Sequence, residues 1–358
     1  MPINLLDSYH LAAIADEIVP TTTFFKDRYF PTGAGDIFKQ NKVLTEYRKG
    51  DRKLAAVVTP RAGDIPIERR GYHLMEYEPV MVAPSRLLTV DELERRGFGE
   101  ALYADTDTAE RAARLILEDM QDMERRIARR EEQMCSMLMQ DNAMVLTPMI
   151  DEDTADEDVE IAFYDKDEGT DHEFTVQTPW NAAGGNHFGD VRAMCRLLSS
   201  RGLTAADLVL GVDVADAILE DEVMLKRLNT TSGIDIGAIE QELSAYDGVS
   251  FMGRLNYSGF KLNLISVEET YEADDGTTKQ YFPTDAAMVT APACGHTMYG
   301  SIMQIDYGDS IQRKHTGIRI PKLTVDQAKD TRKLRLGSRP LPAPKNYCPF
   351  IIAKNVIQ

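Results

Sequence analysis

The chain has 358 residues, of which 43% are hydrophobic and 27% charged, and its formal net charge is −18. That length suffices for two or three subdomains with hydrophobic cores. The negative net charge argues against a protein whose main function is to bind phosphate groups. The sequence has no apolar run of about eighteen residues that would predict a membrane span.

The N-terminus and the cysteines indicate a reducing compartment. Residues 1–7 lack the basic patch, long apolar core and cleavage site of a secretory signal. The four cysteines form no CxxC pair, so we expect buried small hydrophobes rather than a disulfide or metal framework. They are Cys135, Cys195, Cys294 and Cys348. We therefore expect the protein to be made and kept in a cytoplasm.

The first segment predicts a terminal arm. Residues 5–19 carry apolar side chains at helical spacing, and Pro20 ends that helix because proline lacks an N–H donor and restricts its predecessor. Four aromatic residues then fall within seven positions: Phe24, Phe25, Tyr29 and Phe30. So much aromatic area must be buried against a surface, which is either another subunit or the chain's own domain.

Residues 36–85 are expected to be extended. Strand-like runs at residues 43–47 and 54–58 flank a turn signal at residues 49–51, and eight Lys or Arg lie between Lys42 and Arg70. This pattern predicts a long projecting hairpin with a basic tip. Because such a hairpin is at best marginally stable alone in water, we expect a partner to support it.

The strongest periodicity predicts a helix over residues 108–140. Apolar residues recur every three or four positions, which gives one stripe about 48 Å long at about 1.5 Å per residue. The stripe consists of Ala112, Ile116, Met120, Met123, Ile127, Met134 and Leu138. We interpret the methionines as core, and the arginines of residues 125–130 as a solvated or ion-paired outer face.

The second half of the chain predicts a compact α+β unit. Helices are expected at residues 188–201 and 213–228. Strands are expected at residues 208–210, 260–267 and 287–290, with a hairpin turning at residues 274–276. The last fifty residues are expected to be basic and extended.

Charge is segregated along the sequence. Residues 151–173 contain twelve acidic side chains and one lysine, whereas residues 313–345 contain ten Lys or Arg against two Asp. Segregation of this kind is usual for solvated surface. In a polymerising subunit it also supplies complementary faces between neighbours.

The sequence carries no recognised catalytic or ligand-binding motif. The GxxxxGK[ST] loop and HExxH are missing, Gly33-Ala34-Gly35 lacks a third glycine and a preceding strand, and Gly300-Ser301-Ile302 fails the GxSxG pattern. Two pairs lack the further ligands of a zinc site: His73 with Glu76, and Cys294 with His296. We predict no enzyme activity, no cofactor and no metal.

Several runs, taken in order, resemble those of one viral family. They are residues 24–31, 54–63, 70–72, 88–93, 127–132, Trp180, 202–211, 299–302 and 339–342. On these runs the chain resembles the major capsid proteins of lambda-like tailed phages, the protein E family, which has the Hong Kong 97-type capsid fold. The acidic segment 151–173 departs from that resemblance.

The resemblance implies an α+β fold with an N-terminal arm, an extended β-hairpin loop, a peripheral domain around a long spine helix, and an axial domain. The implied boundaries are 1–32 for the arm, 33–87 for the loop, 88–177 plus 313–346 for the peripheral domain with spine helix 108–140, and 178–312 plus 347–358 for the axial domain. It implies self-assembly into the hexamers and pentamers of an icosahedral bacteriophage head, which encloses double-stranded DNA and is assembled in the host cytoplasm.

The expected contacts follow from that architecture. Assembly contacts are expected at Phe24, Phe25, Tyr29, Phe30, Arg61, Arg69 and Arg70. Expected partners are other copies of the chain, a portal, a scaffold or maturation protease, and a decoration protein, with DNA enclosed but not specifically bound. Two alternatives stay open: an encapsulin-type nanocompartment shell with the same fold, and a cytosolic metal- or nucleotide-dependent enzyme.

Overall fold

Four helices and eighteen strands form the part of the chain that the computed structural model describes. That part comprises residues 22–40, 42–47, 73–89, 108–149, 156–164, 172–182, 184–220, 246, 248–257, 259–305, 311–326 and 331–357. The helix predicted over residues 5–19 and the strand predicted over residues 54–58 lie outside it.

The elements follow one another in mixed order. The helices are α1 (Phe24–Tyr29), α2 (Thr108–Asp141), α3 (His187–Ser200) and α4 (Val212–Glu220). The strands are β1 (Val43–Tyr47), β2 (His73–Tyr77), β3 (Ser85–Leu88), β4 (Ala143–Leu146), β5 (Val159–Ala162), β6 (Asp207–Gly211), β7 (Val249–Tyr257), β8 (Phe260–Val267), β9 (Thr270–Glu272), β10 (Thr278–Gln280), β11 (Ala287–Thr290), β12 (Gly295–Tyr299), β13 (Ile302–Ile305), β14 (Gln312–His315), β15 (Ile320–Asp326), β16 (Thr331–Gly337), β17 (Pro340–Pro344) and β18 (Ile351–Ala353).

The long helix α2 confirms the helix predicted from the apolar stripe. Its 34 residues span about 51 Å at about 1.5 Å each. The first half of the stripe, represented by Met120 and Ile127, packs against Leu334 on the sheet of β15, β16 and β3. The second half, with Met134 and Leu138, enters a separate and larger core. One continuous stripe therefore connects two cores.

A five-stranded sheet separates that larger core from a third. Its strand order is β18-β11-β6-β8-β7, and within it β6 and β8 run parallel. Because successive side chains of a strand point to opposite faces, Val209 and Met288 enter the core around α1 and α2, whereas Leu208 and Leu264 enter the core around α3 and α4. Burial on both faces explains why β6 has a continuous apolar run instead of an alternating one.

The prolines of β17 fit a strand with one open edge. β17 pairs with β12, and Lys345 just beyond β17 donates its N–H to the carbonyl of Cys294 at 3.0 Å. Because the direction of the backbone N–H alternates along a strand, the N–H groups of Leu341 and Ala343 also point to β12. The ring nitrogens of the alternating prolines point away from β12. An edge without N–H donors resists pairing with another strand.

The predicted hairpin has a partner strand that the sequence pattern did not single out. β1 coincides with the predicted run at residues 43–47, and it pairs antiparallel with β2, Val43 opposite Tyr77 and Tyr47 opposite His73. The second predicted run, residues 54–58, lies outside the described residues, as do Arg61, Arg69 and Arg70. The antiparallel pairing of β1 with β2 is what the described residues show of this region.

The remaining predictions fare as follows. β8, β11 and the turn at Gly276, whose φ is +75°, match the predicted strands and hairpin. α3 matches the predicted helix, and Gly202 with φ +83° follows its end. All four cysteines are buried and free, as expected. α1 was not predicted, because its aromatic run has no helical periodicity.

Among the described helices, none is long and apolar enough to cross a membrane.

The dual packing of α2 gives a stability prediction. Leu138 has no exposed area, whereas Leu117 on the same helix is 41% exposed. We expect Leu138→Ala to lower the free energy of unfolding by about 2–5 kcal/mol through lost burial and a residual cavity, and Leu117→Ala to change it by less than about 0.5 kcal/mol. Urea unfolding of the unassembled subunit measures both. Equal losses would contradict the packing described.

Candidate functional site

The aromatic residues of the arm lie inside the chain's own core. They have no exposed area: Phe24, Phe25, Tyr29 and Phe30. The Phe25 ring centroid lies 6.2 Å from that of Phe282, and the Phe30 centroid lies 5.7 Å from that of Phe350. Of the two surfaces considered from the sequence, the chain's own domain is the one that covers these rings.

This burial corrects the assembly contacts expected of the four aromatic residues. A side chain with no exposed area in one subunit has no surface left to bury against a neighbour. Their role in this structure is to hold residues 24–30 in place. The other expected contact residues, Arg61, Arg69 and Arg70, lie outside the described part of the chain.

Strand β12 is shaped to receive the arm. A Cβ atom added to Gly295 would lie 2.2 Å from Cδ1 of Phe30, a distance that no side chain tolerates. The Thr297 hydroxyl donates to the carbonyl oxygen of Phe30 at 2.9 Å. Glycine at the first position and a hydroxyl two residues later therefore accommodate the ring and the backbone of the arm together.

A glutamate of α2 caps the arm helix. The Glu132 carboxylate accepts hydrogen bonds from the N–H groups of Phe25 at 2.5 Å and Lys26 at 2.9 Å. Thr23, at the N-cap position, makes no side-chain cap of its own, so Glu132 satisfies donors that a short helix leaves open. Burial raises the pKa of Glu132 to about 8, against the opposing effect of the two N–H groups.

A buried ion cluster lies beside that cap. Glu131, 1% exposed, accepts from Lys26 Nζ at 2.7 Å and from Arg319 Nη1 at 2.7 Å. Arg319, immediately before β15, also pairs with Glu124, its Nη2 lying 2.9 Å from that carboxylate. Burial by itself would raise the pKa of Glu131, but Arg319 and Lys26 hold it below its ordinary value. We call Lys26, Glu124, Glu131, Glu132 and Arg319 the arm-anchor cluster.

A second junction fixes α1 to the five-stranded sheet. Asp207, the first residue of β6, has no exposed area and accepts from Arg28 at 2.7 and 2.9 Å. The Tyr29 hydroxyl donates to the same carboxylate at 3.2 Å, and Asn263 Nδ2 donates at 2.9 Å. α1 is therefore attached to α2 on one side and to β6 and β8 on the other.

These groups are arranged to hold structure together. Burial raises the pKa of the Cys294 thiol to about 12, which keeps it protonated and unreactive near neutral pH. His296, which with Cys294 lacks the further ligands of a zinc site, has its Nδ1 3.0 Å from Asp36. Within the described ranges, no group of three or more His, Cys, Asp or Glu is placed to hold a metal ion.

The sequence held a signal for the arm-anchor cluster that the motif search did not use. Glu124 and Glu131 each lie four residues after an apolar member of the α2 stripe, Met120 and Ile127 respectively. Charged residues on the buried face of a helix require buried partners. The identity of those partners depends on the fold, because Lys26 and Arg319 are far from α2 in sequence.

Comparison with known proteins assigns the family. Residues 7–355 match the family model of the phage major capsid protein E. The chain belongs to the phage major capsid protein E family. It is similar in structure to a protein of E. coli CFT073 assigned as a prophage capsid protein, with a TM-score of 0.69, 16% sequence identity and 99% of each chain covered.

Two further similar structures come from other phages or phage-related genes. A phage-related protein of Bordetella bronchiseptica RB50 has a TM-score of 0.49 and 12% identity, with 97% of this chain and 96% of that one covered. The mature capsid of bacteriophage PhiM1 has a TM-score of 0.47 and 12% identity, with 95% and 89% covered. The search of curated proteins finds no match.

Family membership decides between the functions considered from the sequence. A phage major capsid protein is a structural subunit of the virion shell, and the mixed helix-and-strand architecture is the α+β, Hong Kong 97-type capsid fold expected from the resemblance. The family match extends over nearly the whole chain and favours the phage shell over a nanocompartment shell or a cytosolic enzyme.

The arm-anchor cluster leads us to expect a large loss of stability when one of its cationic side chains is removed. We expect Arg319→Met to lower the free energy of unfolding by about 3–5 kcal/mol, because Glu131 and Glu124 are left buried with one positive partner fewer. The matched control is Arg126→Met, since the Arg126 side chain is 63% exposed and pairs with Asp122 at the surface. Its expected cost is about 0–1 kcal/mol. Denaturant titration of the two variants tests the difference, and equal costs would count against the cluster.

Glu132 predicts a pH dependence of stability. Its pKa is about 8 in the folded chain against an ordinary value of 4.5, so the folded chain keeps a proton that the unfolded chain loses in this window. The free energy of unfolding therefore falls as pH rises from 4.5 to 8, with a slope of at most about 1.4 kcal/mol per pH unit from this group.

The variant Glu132→Gln removes that titration. We expect its unfolding free energy to decline less than that of the wild type between these pH values, whereas Glu157→Gln, at an exposed carboxyl group, keeps the wild-type profile. Denaturant unfolding at a series of pH values measures all three. Parallel profiles for wild type and Glu132→Gln would show that Glu132 does not titrate in this window.

Proposed function

We propose that the chain is the principal subunit of an icosahedral phage head, in which copies form hexamers and pentamers around double-stranded DNA. The observation that carries this proposal is the family match over residues 7–355. The structure adds support, because buried ion pairs of Glu131 and Asp207 join the arm helix to α2 and to the five-stranded sheet within one subunit.

We propose the domain division implied by the resemblance: arm 1–32, loop 33–87, peripheral domain 88–177 plus 313–346, and axial domain 178–312 plus 347–358. Separate hydrophobic cores support it. α2 shares one core with β15 and β16, and α3 and α4 share another with the five-stranded sheet. Strand β3, at the proposed boundary between loop and peripheral domain, pairs with β16 of the proposed peripheral domain.

We propose that Arg61, Arg69 and Arg70 contact acidic surface of a neighbouring copy. The segment that carries them connects β1 to β2, which pair antiparallel. The hairpin expected from the sequence would gain stability from a supporting surface. Residues 151–173 of a neighbour provide acidic side chains in number. Contacts of this kind set the register of the lattice and the rate of association more than the affinity.

The proposed partners are other copies of the chain, together with a portal, a scaffold or maturation protease, and a decoration protein. We propose that the shell encloses DNA without binding it specifically. The net charge of −18 supports this distinction, because a negatively charged wall does not hold phosphates tightly and so does not hinder packaging or release.

Electron microscopy tests the function directly. Wild-type protein purified from bacteria is expected to form closed shells in negative stain. Arg69→Glu with Arg70→Glu is expected to give folded subunits with a lower shell yield, whereas the matched control, Arg192→Glu with Arg196→Glu on exposed positions of α3, assembles normally. A wild-type protein that stays monomeric under all assembly conditions would refute the shell function. Normal shells from the Arg69 and Arg70 variant would remove those residues from the interface.

A further inference from the structure

The β13–β14 ribbon exposes an apolar outer face with basic neighbours. Met303 and Ile305 are 50% and 42% exposed, and Ile311, just before β14, is 65% exposed. Opposite Met303 across the ribbon lies Lys314, which is exposed, as is Arg313 beside it. On the inner face Ile302 and Gln304 are buried, and Gln304 donates to the carbonyl of Pro321 at 3.2 Å. One face of this ribbon is thus fixed to the subunit and the other is open.

The β4–β5 ribbon has the same construction with the opposite charge. On the outer face Val145 is 47% exposed and lies opposite Glu160, whereas on the inner face Met144 and Ile161 are buried and Val159 lies opposite Leu146. The residues that lead into β5 are acidic and exposed: Asp156, Glu157 and Asp158. The outer face of this ribbon therefore presents Val145 with acidic neighbours.

The two ribbons are offset along α2. β13–β14 adjoins β15, whose sheet packs on the first half of the helix around Met123. β4 begins immediately after α2 ends at Asp141. At about 1.5 Å per residue, these attachment points are about 27 Å apart along the helix axis. Because the two ribbons lie at different positions along α2, the β13–β14 ribbon of one copy can contact the β4–β5 ribbon of another copy.

We infer that the outer face of the β13–β14 ribbon of one subunit docks on the outer face of the β4–β5 ribbon of the next, in a head-to-tail contact. This inference rests on the proposed shell function, because it requires many identical copies. An apolar centre with a charged rim is the usual composition of a protein interface. A head-to-tail contact repeated by rotation closes into a ring, the form that hexamers and pentamers take.

Charge reversal with rescue tests the docking. Arg313→Glu with Lys314→Glu, or Glu157→Lys with Asp158→Lys, is each expected to lower shell yield about tenfold, because like charges then face each other across the contact. Combining all four substitutions in one chain restores opposite charges, and shell yield is expected to return to near the wild-type value. Circular dichroism checks that every variant is folded.

A second combination controls for net charge. Arg192→Glu with Arg196→Glu changes charge by the same amount on α3, and together with the reversed acidic residues it is expected not to restore assembly. Restoration by this control, or failure of the four-substitution chain to assemble, overturns the docking. Normal shells from both single reversals overturn it as well but leave the shell function intact. Wild-type protein that forms no shells refutes the shell function and this inference with it.

Cysteine cross-linking tests the head-to-tail geometry. The native cysteines are buried, so introduced surface cysteines report their own contacts. Assembled shells carrying both Met303→Cys and Val145→Cys are expected to give a ladder of disulfide-linked multimers after mild oxidation, whereas either substitution alone gives monomers. Dimers from Met303→Cys alone would indicate pairing of like ribbons. That result, or monomers from the double variant, overturns the inference.

Discussion

The structure depends on one buried carboxylate that joins three distant parts of the chain. Glu131 of α2 binds Lys26 of the arm helix and Arg319 at the start of β15. Removing a charge from water is costly, and any arrangement that leaves Glu131 without its partners keeps that cost uncompensated. The cluster therefore adds less to net stability than to the uniqueness of the arrangement, because it penalises other positions of the arm and of the C-terminal strands.

The other anchors of the arm act in the same place. A helix of six residues does not persist on its own, yet α1 is capped by Glu132 and tied through Arg28 to Asp207 at the start of β6. Its aromatic rings enter the core shared by α2 and the five-stranded sheet. The segment that the sequence suggested as a contact between subunits instead completes the interior of one subunit.

Interior and surface have different tasks in a shell subunit. The interior is specified by paired charges and by a sheet buried on both faces, so each copy has the same shape. The surface keeps apolar side chains, such as Met303 on the β13–β14 ribbon and Val145 on the β4–β5 ribbon, that the isolated subunit does not cover. Exposed apolar side chains with charged neighbours are suited to repeated contacts between identical copies.

Local patterns determined much of this protein from sequence alone. The 3.6-residue stripe of α2, the continuous apolar run of β6 and the turn at Gly276 identified elements correctly, because each signal lies within one segment of chain. The pairing of β1 with His73–Tyr77, the helical form of the aromatic run and the partners of Glu131 were decided only by the tertiary structure. Each depends on contacts between residues far apart in sequence. A charged residue on the buried face of a helix indicates that it needs a partner, but the local sequence does not identify that partner.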